Sequence, residues 1–100
     1  MYSYEIKNTK RLGKEIDSLL SFQLLREQIK KALFERIVSD AKENCEFLTP
    51  EQLFVEREYG VWFHTVNYPE FRGGIARYDT FVIYRCILAD DRQTVEITLE

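Results

Sequence analysis

Phe81-Val-Ile-Tyr-Arg-Cys-Ile-Leu-Ala-Asp-Asp-Arg-Gln-Thr-Val-Glu-Ile-Thr-Leu-Glu100 is the stretch that decides the fold. A run rich in β-branched and aromatic residues meets a polar turn and then strict alternation, which is the pattern of a β-hairpin. Side chains alternate along a strand, so Val95, Ile97 and Leu99 share one side and Thr94, Glu96 and Thr98 the other. Pairing Ala89 with Thr94 sets Leu88 against Val95, Cys86 against Ile97 and Tyr84 against Leu99. Any symmetric loop at Asp90–Gln93 gives that register. One face of the hairpin is therefore apolar and needs cover.

The cover lies upstream. From Thr9 to about Asn44 the apolar period is helical: Leu12, Ile16, Leu19 and Leu20 form one stripe, and Phe22, Leu25, Ile29, Leu33, Ile37 and Ala41 the next. The stripe shifts near Ser21, which predicts two helices, or one kinked helix, over about 10–20 and 22–43. Glu27 with Lys31, and Arg36 with Asp40, are spaced to bridge along the solvent side. Before them Met1–Lys7 alternates as a strand, and Asn8 and Thr9 offer N-cap oxygens. Thr49-Pro50-Glu51-Gln52 is a helix start with a capping hydroxyl, Pro at the first position and Gln three residues on.

Gly60-Val-Trp-Phe-His-Thr-Val66 reads as a further strand with bulky residues on both sides, so its parity stays open. The turn-rich loop Asn67–Gly74 follows, with Tyr68 and Phe71 at its tip as candidate partner contacts. A third strand runs from about Ile75 to Ala89. Its non-core side carries Arg77, Asp79, Phe81, Ile83, Arg85 and Ile87, opposite Thr94, Glu96 and Thr98. That mixture of charged and apolar residues is the composition of a binding surface, and equally of a face covered by the Tyr68–Phe71 loop. The whole chain, 1–100, therefore reads as a single α+β domain, with the helices on one face of a three- to four-stranded antiparallel sheet. Its last strand, 93–100, is regular and free of Pro, which predicts a homodimer contact through that edge.

Composition excludes several classes of function. The net charge of −3 argues against broad attraction to nucleic acid. It hides a gradient, because residues 1–42 hold nine Lys/Arg against six Asp/Glu and the remainder hold five against eleven. Lys7, Lys10, Arg11 and Lys14 cluster at the first helix start, where a phosphate contact is the functional reading and a solvated helix face the plain one. No apolar run approaches the roughly 18 residues of a membrane span. Cys45 and Cys86, far apart in sequence, read as reduced buried thiols of a cytoplasmic protein. With His64 the only histidine, no metal-ligand spacing is present, and nothing calls for a cofactor. Glu51, Glu56 and Glu58 lack the nucleophile or His that would make them an acid–base set.

Strand, two helices and a three-stranded sheet is an arrangement that resembles the RelE/ParE toxin superfamily. Met1-Tyr-Ser-Tyr-Glu-Ile-Lys-Asn-Thr-Lys-Arg-Leu-Gly-Lys-Glu-Ile16 looks like that family's opening strand and basic first helix. Asp79-Thr-Phe-Val-Ile-Tyr-Arg-Cys-Ile87 is similar to its third strand, with Arg85 at the second arginine. The resemblance implies a small toxin, either a ribosome-dependent mRNA endonuclease or a gyrase poison, neutralised by a cognate antitoxin. Phe81 stands where the family's first third-strand arginine sits, and no proton donor and acceptor accompany Arg77 and Arg85. The residues by themselves point first to a non-enzymatic interaction module of inhibitor, immunity or adaptor type. Its protein partner would meet Tyr68, Phe71, Arg77, Arg85 and Glu96.

Overall fold

The computed structural model describes residues 1–19, 23–65, 68–69 and 75–100, with backbone only at 19, 68–69 and 75–76. In chain order the elements are β1 (Ser3–Lys7), α1 (Lys10–Leu19), α2 (Gln23–Cys45), α3 (Pro50–Leu53), β2 (Arg57–His64), β3 (Tyr68–Pro69), β4 (Ile75–Ala76), β5 (Asp79–Leu88) and β6 (Thr94–Leu99). The fold is α+β: helices pack on a four-stranded sheet of order β1-β6-β5-β2, and β3 and β4 form a separate two-stranded ribbon. The shift at Ser21, and the stripe residues Leu20 and Phe22, lie outside the described residues.

The β5–β6 hairpin has the expected register, with Tyr84, Cys86 and Leu88 opposite Leu99, Ile97 and Val95. Its turn is held by one side chain. Asp91 accepts the Gln93 and Thr94 N–H groups at 2.8 Å each and the Thr94 hydroxyl at 2.6 Å. Arg92 takes a positive φ of 60°, which closes the loop. The Thr94 hydroxyl, then the two backbone N–H groups, hold the Asp91 carboxyl below its ordinary pKa.

β1 brings the main departure from an all-antiparallel sheet, because it runs parallel to β6, pairing Tyr4 with Val95 and Ile6 with Ile97. Parallel neighbours need a long crossover, and nearly the whole chain separates these two strands. β6 is consequently central, and its expected free edge, with the homodimer contact assigned to it, is occupied by β1. Asn8 ends β1 with a φ of 64°, a conformation Asn tolerates, and its amide donates to the Leu99 carbonyl at 3.4 Å instead of capping α1. The Thr9 carbonyl accepts the first α1 bond, from Gly13 N–H at 3.0 Å.

Along α2 the buried residues are Leu25, Ile29, Leu33, Ile37, Ala41 and Cys45, one every fourth position. Each step of four advances about 40° around the helix, so the stripe winds and α2 meets different neighbours along its length. At its start Lys30 and Arg26 reach Asp17 of α1, at 2.7 and 3.5 Å. At its end it meets the sheet through polar groups. The Tyr84 hydroxyl, on a fully buried ring, donates to Asp40 at 2.5 Å and accepts from Asn44 at 3.0 Å. Asp40 is thus turned inward, away from the surface bridge expected with Arg36, while Glu27 meets Lys30 at 3.5 Å where Lys31 was expected. Burial, then the bond to Asp40, raises the Tyr84 pKa.

β1 is tied to the same end of the helical layer. Tyr2 donates to the Leu48 carbonyl at 2.6 Å and Tyr4 to Glu46 at 2.7 Å. The capping box of α3 forms as read, with Gln52 N–H on the Thr49 hydroxyl at 3.3 Å and Thr49 N–H on the Gln52 side chain at 2.8 Å. Cys45 and Cys86 are free and fully buried. Cys86's thiol is pushed up by its bond to Cys45 and by burial, and stays protonated.

Tyr84→Phe removes the donor to a partly buried carboxylate, and urea unfolding should register a loss of about 1–3 kcal/mol. Asp91→Ala should lower the urea midpoint at neutral pH. Because the folded Asp91 pKa is depressed, its contribution exists above the ordinary carboxylate pKa and is lost as pH falls through the folded value. The gap between wild type and variant should therefore close in acid.

Candidate interaction surface

Parity decides which residues the helices leave bare. On β2, Val61 and Phe63 are buried and Tyr59 is partly covered, while Glu58, Gly60, Trp62 and His64 face outward. The strand is covered on one side only, which resolves the ambiguity in the sequence. β2 and β5 pair antiparallel with Trp62 opposite Phe81, Gly60 opposite Ile83 and Glu58 opposite Arg85. These pairs build a continuous surface across the two strands.

At its centre Trp62, Phe81 and Ile83 are 58%, 46% and 37% exposed. The indole lies 5.1 Å from the Phe81 ring at 57° and stacks on the His64 imidazole at 5.7 Å and 9°. Phe81 lies across Gly60, where a Cβ would overlap the carbons of its ring. Glycine is required here by close approach: the ring occupies the space a side chain would take.

Ion pairs border this apolar strip. At one end Arg77 Nε bonds Asp79 at 2.6 Å, and His64 Nδ1 stands 3.4 Å from the same carboxylate. Arg77, followed by smaller contributions from the Thr65 N–H and His64, holds Asp79's carboxyl below its usual range. At the other end Arg85 reaches Glu100 at 2.6 Å and Glu58 at 3.4 Å, and the Glu100 charge raises the guanidinium's pKa further. Glu96 is paired with Lys7 of β1.

The residues singled out in the sequence are therefore not one cluster. Asp79, which holds Arg77, lies six positions before Arg85 on β5, about 20 Å away at strand rise. Arg85 and Glu96 share the open side but bond to different partners. Arg77 stands between β4 and β5, so the expected single strand 75–89 is interrupted there. Tyr68 has its backbone in β3, paired with Ala76. Phe71 lies outside the described residues.

The four basic residues at the start of α1 diverge. Lys7 turns to Glu96. Lys10 and Lys14 line a shallow depression of about 270 Å³ that also holds Asp17 and Lys30. Arg11 instead lines a hollow of about 280 Å³ beside Glu15, Ile83 and Glu100.

Trp62 and Gly60 are the surface residues that the sequence reading did not assign to this side. Their signal was present in the pairing of a bulky two-sided strand with a glycine, but one register step separates the two parities. Among the described residues no group of three His, Cys, Asp or Glu could hold a metal ion, and no helix is long and apolar enough to cross a membrane. No family model matches the chain, nor does any curated protein or any solved structure.

Gly60→Ala should cost about 1 kcal/mol or more by displacing the Phe81 ring. In a Phe81→Ala background the same change should be neutral or stabilising, because alanine suits a strand better than glycine. A double-mutant cycle from chemical denaturation measures the difference.

Proposed function

We propose that this protein is a small interaction module whose open sheet face docks a protein partner. The observation that carries the reading is the contiguous exposure of Trp62, Phe81 and Ile83 on the side opposite the helices. Trp and its neighbours supply large, rigid contact area, the type of residue on which binding energy concentrates. The ion pairs at both ends form a polar rim around an apolar centre, the usual anatomy of a protein contact.

Charge states what the partner should look like. Glu5, Glu58, Asp79, Glu96 and Glu100 on this side outnumber Lys7, Arg77 and Arg85. A surface with an apolar knob and a basic rim complements that balance, whereas a nucleic-acid backbone is repelled by it. Tyr68 and Phe71 extend the contact from the 67–74 loop on sequence grounds. A reducing, cytoplasmic setting agrees with two free buried thiols.

Affinity capture should compare wild type with Trp62→Ala/Ile83→Ala and with the helix-side control Lys42→Ala. A partner recovered by wild type and control, lost by the double variant, should bind the purified double variant at least tenfold more weakly, as expected for loss of buried anchors. Identical recoveries with all three would end this reading. Growth arrest on bacterial expression, relieved by Arg85→Ala, would favour the toxin-like alternative.

A further inference from the structure

The hydrogen-bond phase of the sheet identifies which backbone groups are left over. Ala89 N–H bonds Thr94 O at 2.8 Å and Glu100 N–H bonds Ile83 O at 3.4 Å, so the odd residues of β5 face β6. Its even residues therefore face β2, in the same register that places Thr65 N–H 3.2 Å from Tyr78 O. It follows that Arg57, Tyr59, Val61 and Phe63 spend their backbone groups on β5, and that Glu58, Gly60, Trp62 and His64 aim theirs outward. Among the described residues nothing pairs with this outer row.

β2 is an unusual edge. It is eight residues long, with no Pro and no Lys, and its charges, Arg57 and Glu58, sit together at its start, which leaves Tyr59 to His64 without the devices of charge and Pro that protect edges. By contrast β1, the opposite edge of the sheet, is shorter and ends in Lys7. We infer that β2 is the contact through which two copies of this chain pair, antiparallel about a two-fold axis at Val61, joining their sheets into one.

The register follows from the sequence of the strand. A two-fold pairing must match outward rows with each other, so only every second register is allowed. With the axis at Val61, Glu58 of each copy faces His64 of the other, and Gly60 faces Trp62 of the other. On the helix side Tyr59 faces Phe63 of the second copy. The space above each Gly60 is already filled by its own Phe81 ring, so each exposed indole meets that ring of the second copy, aromatic against aromatic. The acidic end of one strand meets the imidazole end of the other, twice over. Moving the axis to Gly60 keeps an acid opposite His64, since Glu56 then faces it, but opposes glycine with glycine and sets Glu58 against Trp62, losing the aromatic match. The contact is made by the strand edge, but it shares Trp62 with the open face, so its test rests on Glu58 and His64 and is independent of the partner-docking reading.

Sedimentation equilibrium over a micromolar concentration series should show wild type in reversible monomer–dimer exchange. Glu58→Pro removes an outward N–H and the exposed Arg85 contact, neither of which joins β2 to the core, so it should fold, by circular dichroism, and sediment as a monomer. His64→Glu should weaken self-association about five- to tenfold, since each homodimer then holds two Glu–Glu cross-strand pairs, and Glu58→Lys should weaken it by removing both Glu58–His64 pairs. An equimolar mixture of those two should regain dimer, because the lysine introduced in one chain then faces the glutamate introduced in the other. A wild type monomeric throughout, a folded Glu58→Pro that still dimerises, or folded charge variants that gain nothing on mixing would each overturn the inference. Should Glu58→Pro not fold, the charge-swap mixture decides alone.

Discussion

Tyr84 joins the two layers of this protein. Its ring is buried on the helix side of β5, and its hydroxyl spans to Asp40 and Asn44 near the end of α2. A buried phenol must find a partner, and the partly buried carboxylate it meets would be costly without a donor. The hydrogen bond therefore holds α2 and the sheet in one relative placement. From that placement the side of every other strand residue follows, since side chains alternate and the ladder carries the phase from strand to strand.

The tyrosines of β1 serve the same junction from the other flank. Tyr2 and Tyr4 place their rings against the core and their hydroxyls on Leu48 and Glu46, just past α2. Burial, then the bond to Glu46, raises Tyr4's pKa as burial raises that of Tyr84. Apolar area drives the layers together, but it is non-directional. The phenolic bonds add the direction, and they concentrate where α2, β1 and β5 converge.

The same alternation that buries Val61, Phe63, Val82 and Tyr84 pushes Trp62, Phe81 and Ile83 outward, so core and interaction surface are two sides of one constraint. The outward side could have been polar, as the strand β6 is with Thr94, Glu96 and Thr98. It is instead aromatic where β2 and β5 meet, and a glycine is retained beneath a phenyl ring. Gly60 weakens strand propensity, and Phe81 restores the lost contact by covering it.

What the sequence determined by itself was local: the hairpin register of 81–100, the four-residue spacing of α2, the capping box at Thr49, the burial of both cysteines. Each rests on period or on contacts a few residues apart, which a one-dimensional pattern encodes. Only the tertiary structure decided that β1 enters beside β6, that β2 is therefore the long edge left unpaired among the described residues, and which side Trp62 takes. It also separated Arg77 from Arg85, which share a parity but not a place. Strand order and neighbour choice arise from pairings across nearly the whole chain. Parity names the side of a sheet, and only the fold says what stands next to it.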